Sequence, residues 1–485
     1  MSTNKVSIDP ITRLEGHGKI DIFLDSEGNP EDAVLQVPEL RGFEEFSRGR
    51  RAEDMPRITE RICGVCPEAH HFASTKALDA AYSSPPPETA LQLRELLYNS
   101  YIFADHLLHL FYLGGPDFLA NGATKEKRNI VGVINELGEA VGKKLLAARR
   151  KAHEAIEIIG GNQVHPVTGI PGGLSSGITA SEKEELASIG KDVLDFSEDV
   201  LELFHEKVIA SDGFGALLDN PRLSLDSYYM GLVDEDDKVS FYDGSLRIID
   251  PAGEEYAVVD PGKGMDLLEE RVEPWTYVKF PYLKEVGWDN FSTGKNSGIF
   301  RVGPLARLNV GNGMKTELAQ NEYEKFVKHF GDKPVHQTYA YHWARMIELV
   351  QAAERIDELA RLDSITGDEI SSELGEPGEG VGVVEAARGT LFHHYELDQT
   401  GIVEMANMIV PTTSNSAALS ISIKQAAEEA IEVGEISEEA LNRVEIGFRP
   451  YDPCLACATH SVNGGLDIGL SIYDDEGKLI EEIEK

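Results

Sequence analysis

The chain has only four cysteines, and all of them fall in two CxxC pairs near opposite ends of the sequence. Cys63 and Cys66 form the first pair, and Cys454 and Cys457 form the second. A two-residue gap lets both sulfurs of a pair turn towards one ion, especially where the chain enters a helix and free backbone N–H groups stabilise thiolate. Four thiolates together suit a soft or borderline metal, which means zinc, an iron–sulfur cluster or nickel.

The separation of the two pairs along the chain bears on which site they form. Structural zinc is the commonest use of two CxxC pairs, but zinc ribbons close over loops of about 15–20 residues, and these pairs are hundreds of residues apart. With 485 residues, 41% of them apolar, the chain can build its own core without a metal staple. A redox dithiol needs only one pair. Spacing alone leaves structural zinc, a catalytic or redox metal and unliganded thiols all open.

The charge balance argues against two classes of partner. There are 84 Asp and Glu against 45 Lys and Arg, a net charge of −39, which repels nucleic acid and anionic membranes. The N-terminal residues lack an apolar core of signal-peptide length, and no uninterrupted apolar run reaches about 18 residues. We therefore expect a cytoplasmic protein with no membrane span. Thiols in that reducing compartment stay free, bind metal or do chemistry.

Apolar spacing predicts a mainly α-helical chain with β segments near the N-terminus and in the middle, an α+β fold. Alternating residues predict strands within 5–24 and 32–40, and residues 224–310, rich in Tyr, Val, Asp, Gly and Pro, are predicted to form a β-rich excursion packed on the helices. Helical spacing predicts helices over 87–113, 126–159 and 181–209, the last opened by Ser181, and at least one more within 315–362.

The residues around the cysteines narrow the alternatives. The first pair lies in RICGVCPEAH (61–70) and the second in DPCLACATH (452–460), which match the signatures RxCGxCxxxH and DPCxxCxxH. On these motifs the chain resembles the large subunit of NiFe-hydrogenases, and the resemblance covers essentially its whole length. Further matches, in order, are TRLEGH (12–17), RGFE (41–44), RVGPLARLN (301–309), EAARG (385–389) and VPT (410–412). The resemblance implies that subunit's fold, a long helical bundle around a buried bimetallic site.

The resemblance also implies the cofactor and the reaction. Nickel would be held by all four cysteines, and Cys66 and Cys457 would bridge it to an iron that carries CO and two cyanides, while Cys63 and Cys454 would be terminal ligands. Soft thiolates donate electron density to nickel and also accept protons, so H2 would be cleaved heterolytically with the proton on Cys454. Glu15 corresponds to the family's proton-transfer glutamate, and a carboxyl with a raised pKa in a dry site is a suitable relay.

Other residues match positions around the metals. His70, one helical turn after Cys66, corresponds to a histidine that hydrogen-bonds a bridging thiolate. Arg388 and Thr412 correspond to residues that hydrogen-bond the cyanides. The apolar side around the CO would be lined by Ala386, Val410 and Pro411. The sequence departs from the family at Ala387, where proline is usual, and this predicts a less rigid loop before Arg388.

The resemblance further implies a second metal site and a processed C-terminus. Glu44, His460 and the backbone carbonyl near Met408 correspond to ligands of a hard cation, magnesium or iron, that retains waters. His460 would be the last residue of a mature single-domain protein, 1–460. We expect a maturation endopeptidase to remove 461–485, which is predicted to form strand, turn and strand with the turn at Asp474–Gly477.

Electron transfer requires further subunits. The chain has no cysteines left for an iron–sulfur cluster and no GxGxxG motif for a dinucleotide, so electrons must leave through an iron–sulfur small subunit. The stretches PELRGFEEF and CPEAHHFASTKALDAAY favour a methyl-viologen-reducing hydrogenase linked to a heterodisulfide-reductase-like complex. The alternative is an NAD-linked bidirectional hydrogenase with a diaphorase. From a different class, a structural zinc protein predicts zinc in the cysteines and no catalysis.

Overall fold

The computed structural model describes residues 4–120, 127–211, 213–331, 333–431, 436–460, 469–473 and 479–484. The helices are α1 (Phe43–Ser47), α2 (Met55–Thr59), α3 (Pro67–Ala81), α4 (Glu88–Leu108), α5 (Pro116–Leu119), α6 (Ile130–Leu137), α7 (Glu139–Gly160), α8 (Ala180–Phe204), α9 (Phe214–Leu218), α10 (Pro304–Val310), α11 (Glu317–Phe330), α12 (Ala340–Ala360), α13 (Pro411–Ala430) and α14 (Glu438–Phe448).

The strands are β1 (Asn4–Ile8), β2 (Lys19–Leu24), β3 (Pro30–Gln36), β4 (Gly169–Ile170), β5 (Gly173–Leu174), β6 (Tyr228–Val233), β7 (Ser245–Ile249), β8 (Glu255–Val259), β9 (Leu268–Arg271), β10 (Phe280–Leu283), β11 (Phe300–Arg301), β12 (Glu379–Ala386), β13 (Gly389–Leu397), β14 (Val403–Ile409), β15 (Gly469–Tyr473) and β16 (Leu479–Glu484). Helices and separate sheets coexist, and the predicted α+β class is confirmed.

Long helices form the body of the protein. α12 packs against α4, α8, α10 and α11, and α7 packs against both α4 and α8. α12 is buried along most of its circumference, as expected for a helix at the centre of a bundle rather than on its surface. α4 is almost as deeply buried. These two central helices carry several of the polar side chains described below.

The small sheets surround this bundle. β1, β2 and β3 form an antiparallel meander, and β11 extends the antiparallel β6–β7–β8 sheet by pairing in parallel with β6. Strands therefore form where residues 5–24, 32–40 and 224–310 predicted them, although residues 9–18 between β1 and β2 are irregular and residues 304–310 are helical.

A third sheet, β12–β13–β14, was not predicted from the sequence. Its strands pair antiparallel, with β13 in the middle. β12 and β13 are buried along most of their length, and a strand buried on both faces lacks the alternation of apolar and polar residues that reveals a half-exposed strand. The prediction of β segments only near the N-terminus and in the middle was therefore wrong.

Two glycines let this sheet lie directly against α3. A Cβ added to Gly380 would lie 2.2 Å from the carbonyl oxygen of Ala77, and one added to Gly382 would lie 2.1 Å from that of Ala73. Both distances are far below van der Waals contact, so that only glycine permits this approach of β12 to the helix. The close packing aligns α3, which follows the first CxxC pair, with β13.

Two helix boundaries differ from the predictions. The helix predicted over 126–159 is two helices, α6 and α7, because Gly138 between them has φ 91°, outside the helical region. The helix predicted to open at Ser181 begins one residue earlier, and its N-cap is Thr179. Thr179 and Glu182 form a reciprocal capping box. The segment 315–362 contains two helices, α11 and α12.

The C-terminal residues contain the two predicted strands. β15 and β16 pair antiparallel, while the predicted turn at Asp474–Gly477 lies outside the described residues. Within the described part of the chain, no helix combines the length and the apolar character needed to cross a membrane.

Candidate metal centre

The fold brings the two CxxC pairs together in the protein interior. The Sγ atoms of Cys454 and Cys457 are 2.8 Å apart, Cys63 Sγ is 3.4 Å from Cys454 Sγ, and Cys66 Sγ is 3.5 Å from Cys457 Sγ. All four side chains are buried, and their sulfurs lie within 4.8 Å of one another. Four sulfurs this close can bind a common metal or a bimetallic group.

Local backbone structure directs each pair towards the common point. Cys66 is the N-cap of α3 and is followed by Pro67, and the backbone N–H groups of Val65 and Cys66 donate to Cys63 Sγ over 3.2 and 3.4 Å. On the opposite side Cys454 follows Asp452, whose φ of 54° turns the chain into the short helical turn Leu455–Cys457. Free N–H groups at such turns stabilise negative charge on sulfur.

The protonation of the four thiols is uneven. Hydrogen bonds from the other three cysteines, Cys454 first, hold the pKa of Cys63 well below its usual value. Burial raises the pKa of Cys457 and Cys454 well above the ordinary value. The cluster therefore favours a thiolate at Cys63 that the remaining thiols stabilise. Thiolates are the form that binds metal, so metal binding would displace these protons.

Glu15 lies directly against the second pair. Cys454 Sγ donates to Glu15 Oε2 over 3.0 Å, and the N–H of Ala456 donates to the same oxygen over 3.2 Å. The two loops run side by side, since the N–H of Leu455 donates to the backbone carbonyl of Glu15 over 2.9 Å. Burial raises the pKa of Glu15. A carboxyl group in direct contact with a cysteine sulfur can exchange a proton with it.

Gly16 makes this contact between the two loops possible. Its φ is +86°, and an added Cβ would lie 2.6 Å from the backbone nitrogen of Ala456. An L-residue here would be strained in conformation and would also push the loop containing Glu15 away from the loop containing Cys454.

We expect Gly16→Ala to lower the free energy of unfolding by about 1–3 kcal/mol, the usual cost of such backbone strain, and to separate Glu15 from Cys454. Urea unfolding of the full chain measures the first effect. Gly64→Ala is the matched control, because Gly64 lies between the first two cysteines, has no positive φ and has nothing within 4 Å of an added Cβ. Equal stability of the two variants would contradict the steric argument.

Arg388 is buried in a network of two acids. Its guanidinium forms a bidentate pair with Asp105 over 2.9 and 3.0 Å, while Nη2 lies 3.0 Å from the Asp452 carboxylate and Nε donates to the Asp452 carbonyl over 2.7 Å. Burial opposes the charge on Arg388, but Asp105 and Asp452 outweigh it and raise the pKa above the ordinary value. Burial raises the pKa of Asp105 to about 6. A cationic donor is therefore fixed beside the second cysteine pair.

Asp105 was not identified from the sequence. It lies on α4 in the segment NSYIFADHLLHL, and a single acid in an otherwise apolar, buried stretch of helix is the signal that could have identified it. Its partner Arg388 is 283 residues away, so the pairing itself could be recognised only in the folded chain.

The loop before Arg388 is held by hydrogen bonds. The N–H of Ala387 donates to the Tyr101 hydroxyl over 3.1 Å, and Arg307 donates to the carbonyl of Ala386 over 2.9 Å. Arg307 is itself fixed by a bidentate pair with Glu348, over 2.6 and 2.7 Å. Proline at position 387 would have no N–H to donate. The predicted loss of rigidity at Ala387 is therefore offset by a bond that proline cannot make.

The start of α13 completes this side of the site. Val410 is the N-cap, Pro411 and Thr412 follow in the first turn, and all three are buried. The Thr412 hydroxyl oxygen accepts from the backbone N–H of Cys454 over 3.1 Å, which leaves the hydroxyl proton available for another acceptor. Ala386 is also buried. The fold thus combines polar donors and apolar side chains near the cysteines, as the resemblance implied.

Glu44, Met408 and His460 also lie close together. Glu44 Oε1 accepts from the Met408 N–H over 2.9 Å, and the Glu44 N–H donates to the His460 carbonyl over 3.4 Å. The His460 ring is buried, and neither ring nitrogen has a hydrogen bond of good geometry to a described residue. Burial lowers the pKa of His460 to about 3, so the ring is neutral. A neutral, buried and unsatisfied imidazole fits a metal ligand.

His70 is buried one turn after Cys66. Its ring centroid is 6.3 Å from that of His460, and its Nδ1 lies 3.1 Å from His393 Nε2. His393 and Tyr395 were not identified from the sequence, in which the segment LFHHYEL resembles any strand. His70 therefore has an imidazole partner that the motif around the first cysteine pair does not reveal.

Comparison with known proteins agrees with this geometry. Residues 41–129 and 276–460 match the family of nickel-dependent hydrogenases, and residues 5–40 match the HoxL-like family. The matched segments contain Glu15, all four cysteines and His460. The chain therefore belongs to the nickel-dependent hydrogenases, and the family predicted from the two CxxC motifs is confirmed.

Relatives of this chain resemble it over nearly its full length. An F420-non-reducing hydrogenase iron-sulfur subunit of Archaeoglobus profundus is 45% identical over 99% of both chains. The beta subunit of the NAD-reducing hydrogenase HoxS of Cupriavidus necator is 37% identical, again over 99% of both chains. A crystal structure of NAD+-reducing NiFe-hydrogenase in the H2-reduced state has a TM-score of 0.88 at 34% identity, covering 95% of this chain and 100% of that chain. The predicted enzyme class and fold are confirmed.

Proposed function

We propose that this chain is the catalytic large subunit of a NiFe-hydrogenase that interconverts H2 with protons and electrons. The observation that carries the proposal is the buried cluster of four cysteine sulfurs with the Glu15 carboxyl group 3.0 Å from Cys454 Sγ. Soft sulfur ligands bind nickel and iron, and the adjacent carboxyl group supplies a proton acceptor. A structural zinc site would not require such a group.

The donor set fits the bimetallic group of the family. All four cysteines would hold nickel, and Cys66 and Cys457, whose sulfurs are 3.5 Å apart, would also bridge to the iron. When bound, this group would polarise H2 and take up its electrons. Arg388 and Thr412 would donate to the cyanides on the iron, and the buried side chains of Ala386, Val410 and Pro411 would surround the CO.

The protein's own residues handle the proton. The thiolate of Cys454 would receive it at Sγ and pass it to Glu15 Oε2 across the 3.0 Å contact. Burial, which raises the pKa of Glu15, increases the affinity of the carboxylate for that proton and keeps water away from the transfer. His70 would lie beside a bridging sulfur and affect its electron density.

The first test is an infrared spectrum of the anaerobically purified protein, measured together with nickel and iron content. We expect sharp CO and cyanide bands with nickel and iron in equal amounts. Zinc in the cysteines with no such bands would overturn the proposal and favour a structural site. If the purified chain contains no metal, the same measurement is made after co-expression with maturation factors, and bands still absent then would also reject the proposal.

The second metal site and the C-terminal extension belong to the same proposal. Glu44, His460 and the Met408 carbonyl would hold magnesium or iron, which would fix His460 as the last residue of the mature chain. A maturation endopeptidase would then cut between His460 and Ser461. Intact-mass measurement on the active enzyme is expected to give the mass of residues 1–460. A mass that still includes Lys485 in fully active protein would contradict the cleavage.

Electrons would pass to an iron–sulfur small subunit, then to a heterodisulfide-reductase-like complex. The names of several relatives support this, because two proteins named as parts of F420-non-reducing hydrogenases, from Methanothermobacter thermautotrophicus and Methanothermobacter marburgensis, are each 36% identical over 99% of this chain. The likeness to the NAD+-reducing hydrogenase structure keeps an NAD-linked enzyme with a diaphorase as the alternative. Hydrogen-dependent NAD+ reduction by the native complex would favour the alternative, and viologen reduction without NAD+ reduction the main proposal.

A further inference from the structure

A chain of hydrogen bonds between buried side chains begins at His70. Its Nδ1 is 3.1 Å from His393 Nε2, His393 Nδ1 is 2.7 Å from the Tyr395 hydroxyl, and that hydroxyl donates to Ser74 Oγ over 3.0 Å. All four side chains are at most 1% exposed. None of the last three residues has a role in the mechanism described above.

Two elements supply the four side chains. His70 and Ser74 are one turn apart on α3, so they lie on the same face of the helix. His393 and Tyr395 are two residues apart on β13, so they lie on the same face of the strand. The close packing of α3 on the β12–β13 pair brings the two faces together and closes the chain of bonds away from bulk water.

The direction of these bonds follows from counting protons. A neutral imidazole has one N–H and one bare nitrogen, and burial lowers the pKa of His70 to about 4 and that of His393 well below its usual value, so both are neutral. The Tyr395 hydroxyl gives its only proton to Ser74, so it must accept one from His393 Nδ1. His393 Nε2 is then bare and must accept from His70 Nδ1.

We propose that Ser74, Tyr395 and His393 fix the tautomer of His70, with the proton on Nδ1 and with Nε2 left as a hydrogen-bond acceptor beside the cysteines. Among the described residues Nε2 makes no hydrogen bond, and His70 is within electrostatic reach of Cys63. Ser74, Tyr395 and His393 are thus positioning residues that act through His70. The consequence for catalysis rests on the proposed function, whereas the tautomer itself does not.

An acceptor at this point has a defined chemical use. A bare imidazole nitrogen can accept a hydrogen bond, or a proton, from a cysteine thiol, which a protonated nitrogen cannot do. The resemblance implied instead that His70 forms a hydrogen bond to a bridging thiolate, which requires a donor on the histidine because a thiolate has no proton. The hydrogen-bond chain assigns His70 the acceptor role.

Nitrogen NMR of the metal-free full-length chain, labelled with ¹⁵N-histidine, tests the assignment directly. Protonated and bare ring nitrogens have distinct shifts, and the His70 signals are identified by their loss in His70→Asn. In the wild type we expect the proton on Nδ1. In Ser74→Ala the Tyr395 hydroxyl loses its acceptor and donates to His393 instead, so both imidazoles change tautomer and the His70 proton moves to Nε2.

Tyr395→Phe provides a second variant in case Ser74→Ala does not fold. It removes one oxygen and uncouples His393 from Ser74, so we expect a mixture of His70 tautomers. The matched control is Tyr229→Phe, because Tyr229 makes the same contact with another histidine, its hydroxyl lying 2.7 Å from His336 Nδ1, in a separate part of the fold. In this control we expect unchanged His70 signals.

The metal-loaded enzyme gives the functional measurement. We expect Ser74→Ala and Tyr395→Phe to lower hydrogen turnover about 10- to 100-fold, as is usual when a partner of a metal-site residue is lost, and to shift the CO and cyanide infrared bands, with neither effect in Tyr229→Phe. A wild-type His70 protonated at Nε2, or a tautomer unaffected by both variants, would overturn the proposal. Because the NMR experiment uses the metal-free chain, its result does not depend on whether the chain is a hydrogenase.

Discussion

A Glu15→Gln chain loaded with its metals is expected to turn over hydrogen about 10²- to 10⁴-fold more slowly than the wild type, the usual contribution of a positioned proton acceptor. Glutamine keeps the size of the side chain and can still accept the N–H of Ala456, but it cannot take a proton from Cys454. Nickel content and the CO and cyanide bands are expected to be unchanged. Hydrogen uptake with a viologen acceptor, measured beside the infrared spectrum, separates proton transfer from metal loading.

Glu45→Gln is the matched control for that experiment. Glu45 is on α1 and pairs at the surface with Arg48 over 3.1 Å, so its loss removes an acid without affecting the site, and we expect full activity. If Glu15→Gln retained wild-type turnover, the proton would have to leave Cys454 by another route and the proposed relay would be wrong.

Cys66→Ser is expected to abolish nickel binding, the CO and cyanide bands and hydrogen turnover. The hydroxyl of serine is not a soft ligand and does not ionise as thiols do, so the bridge between the two metals cannot form. Nickel and iron analysis of the purified variant measures the loss directly, and the infrared spectrum shows whether any iron retains its diatomic ligands.

Gly64→Ala tests the same loop without removing a sulfur. Nothing lies within 4 Å of the added Cβ, so we expect normal nickel and iron content in this control. Wild-type nickel and infrared bands in Cys66→Ser would show that Cys66 is not a ligand, and the proposed arrangement of the bridge would fail.

The sequence was most informative where chemistry depends on local motifs. The two CxxC pairs and Glu15 were identified by their flanking residues, and the fold does bring them together. Asp105 and His393 could not be identified in this way, because their partners Arg388 and His70 are hundreds of residues distant and become neighbours only through tertiary packing. A pairwise contact of that kind leaves no periodicity or spacing in the sequence.

Secondary structure followed the same division. Helices with one apolar face, such as α8, were predicted nearly to their ends, although the capping box at Thr179 sets the start that was assigned to Ser181. β12 and β13 were missed because burial on both faces removes the alternation by which strands are recognised. The helix break at Gly138 was missed because a glycine within a helical pattern is often tolerated.

The contact between the loops of Glu15 and Cys454 also determines when the site can exist during protein synthesis. Cys63 and Cys454 are separated by 391 residues, so a ribosome adding about 5–20 residues per second needs roughly 20–80 s to make the second pair after the first. During that interval the first pair is an isolated dithiol. A bimetallic group that needs both ends of the chain must therefore be inserted after elongation is nearly complete, and a nascent chain cannot hold it.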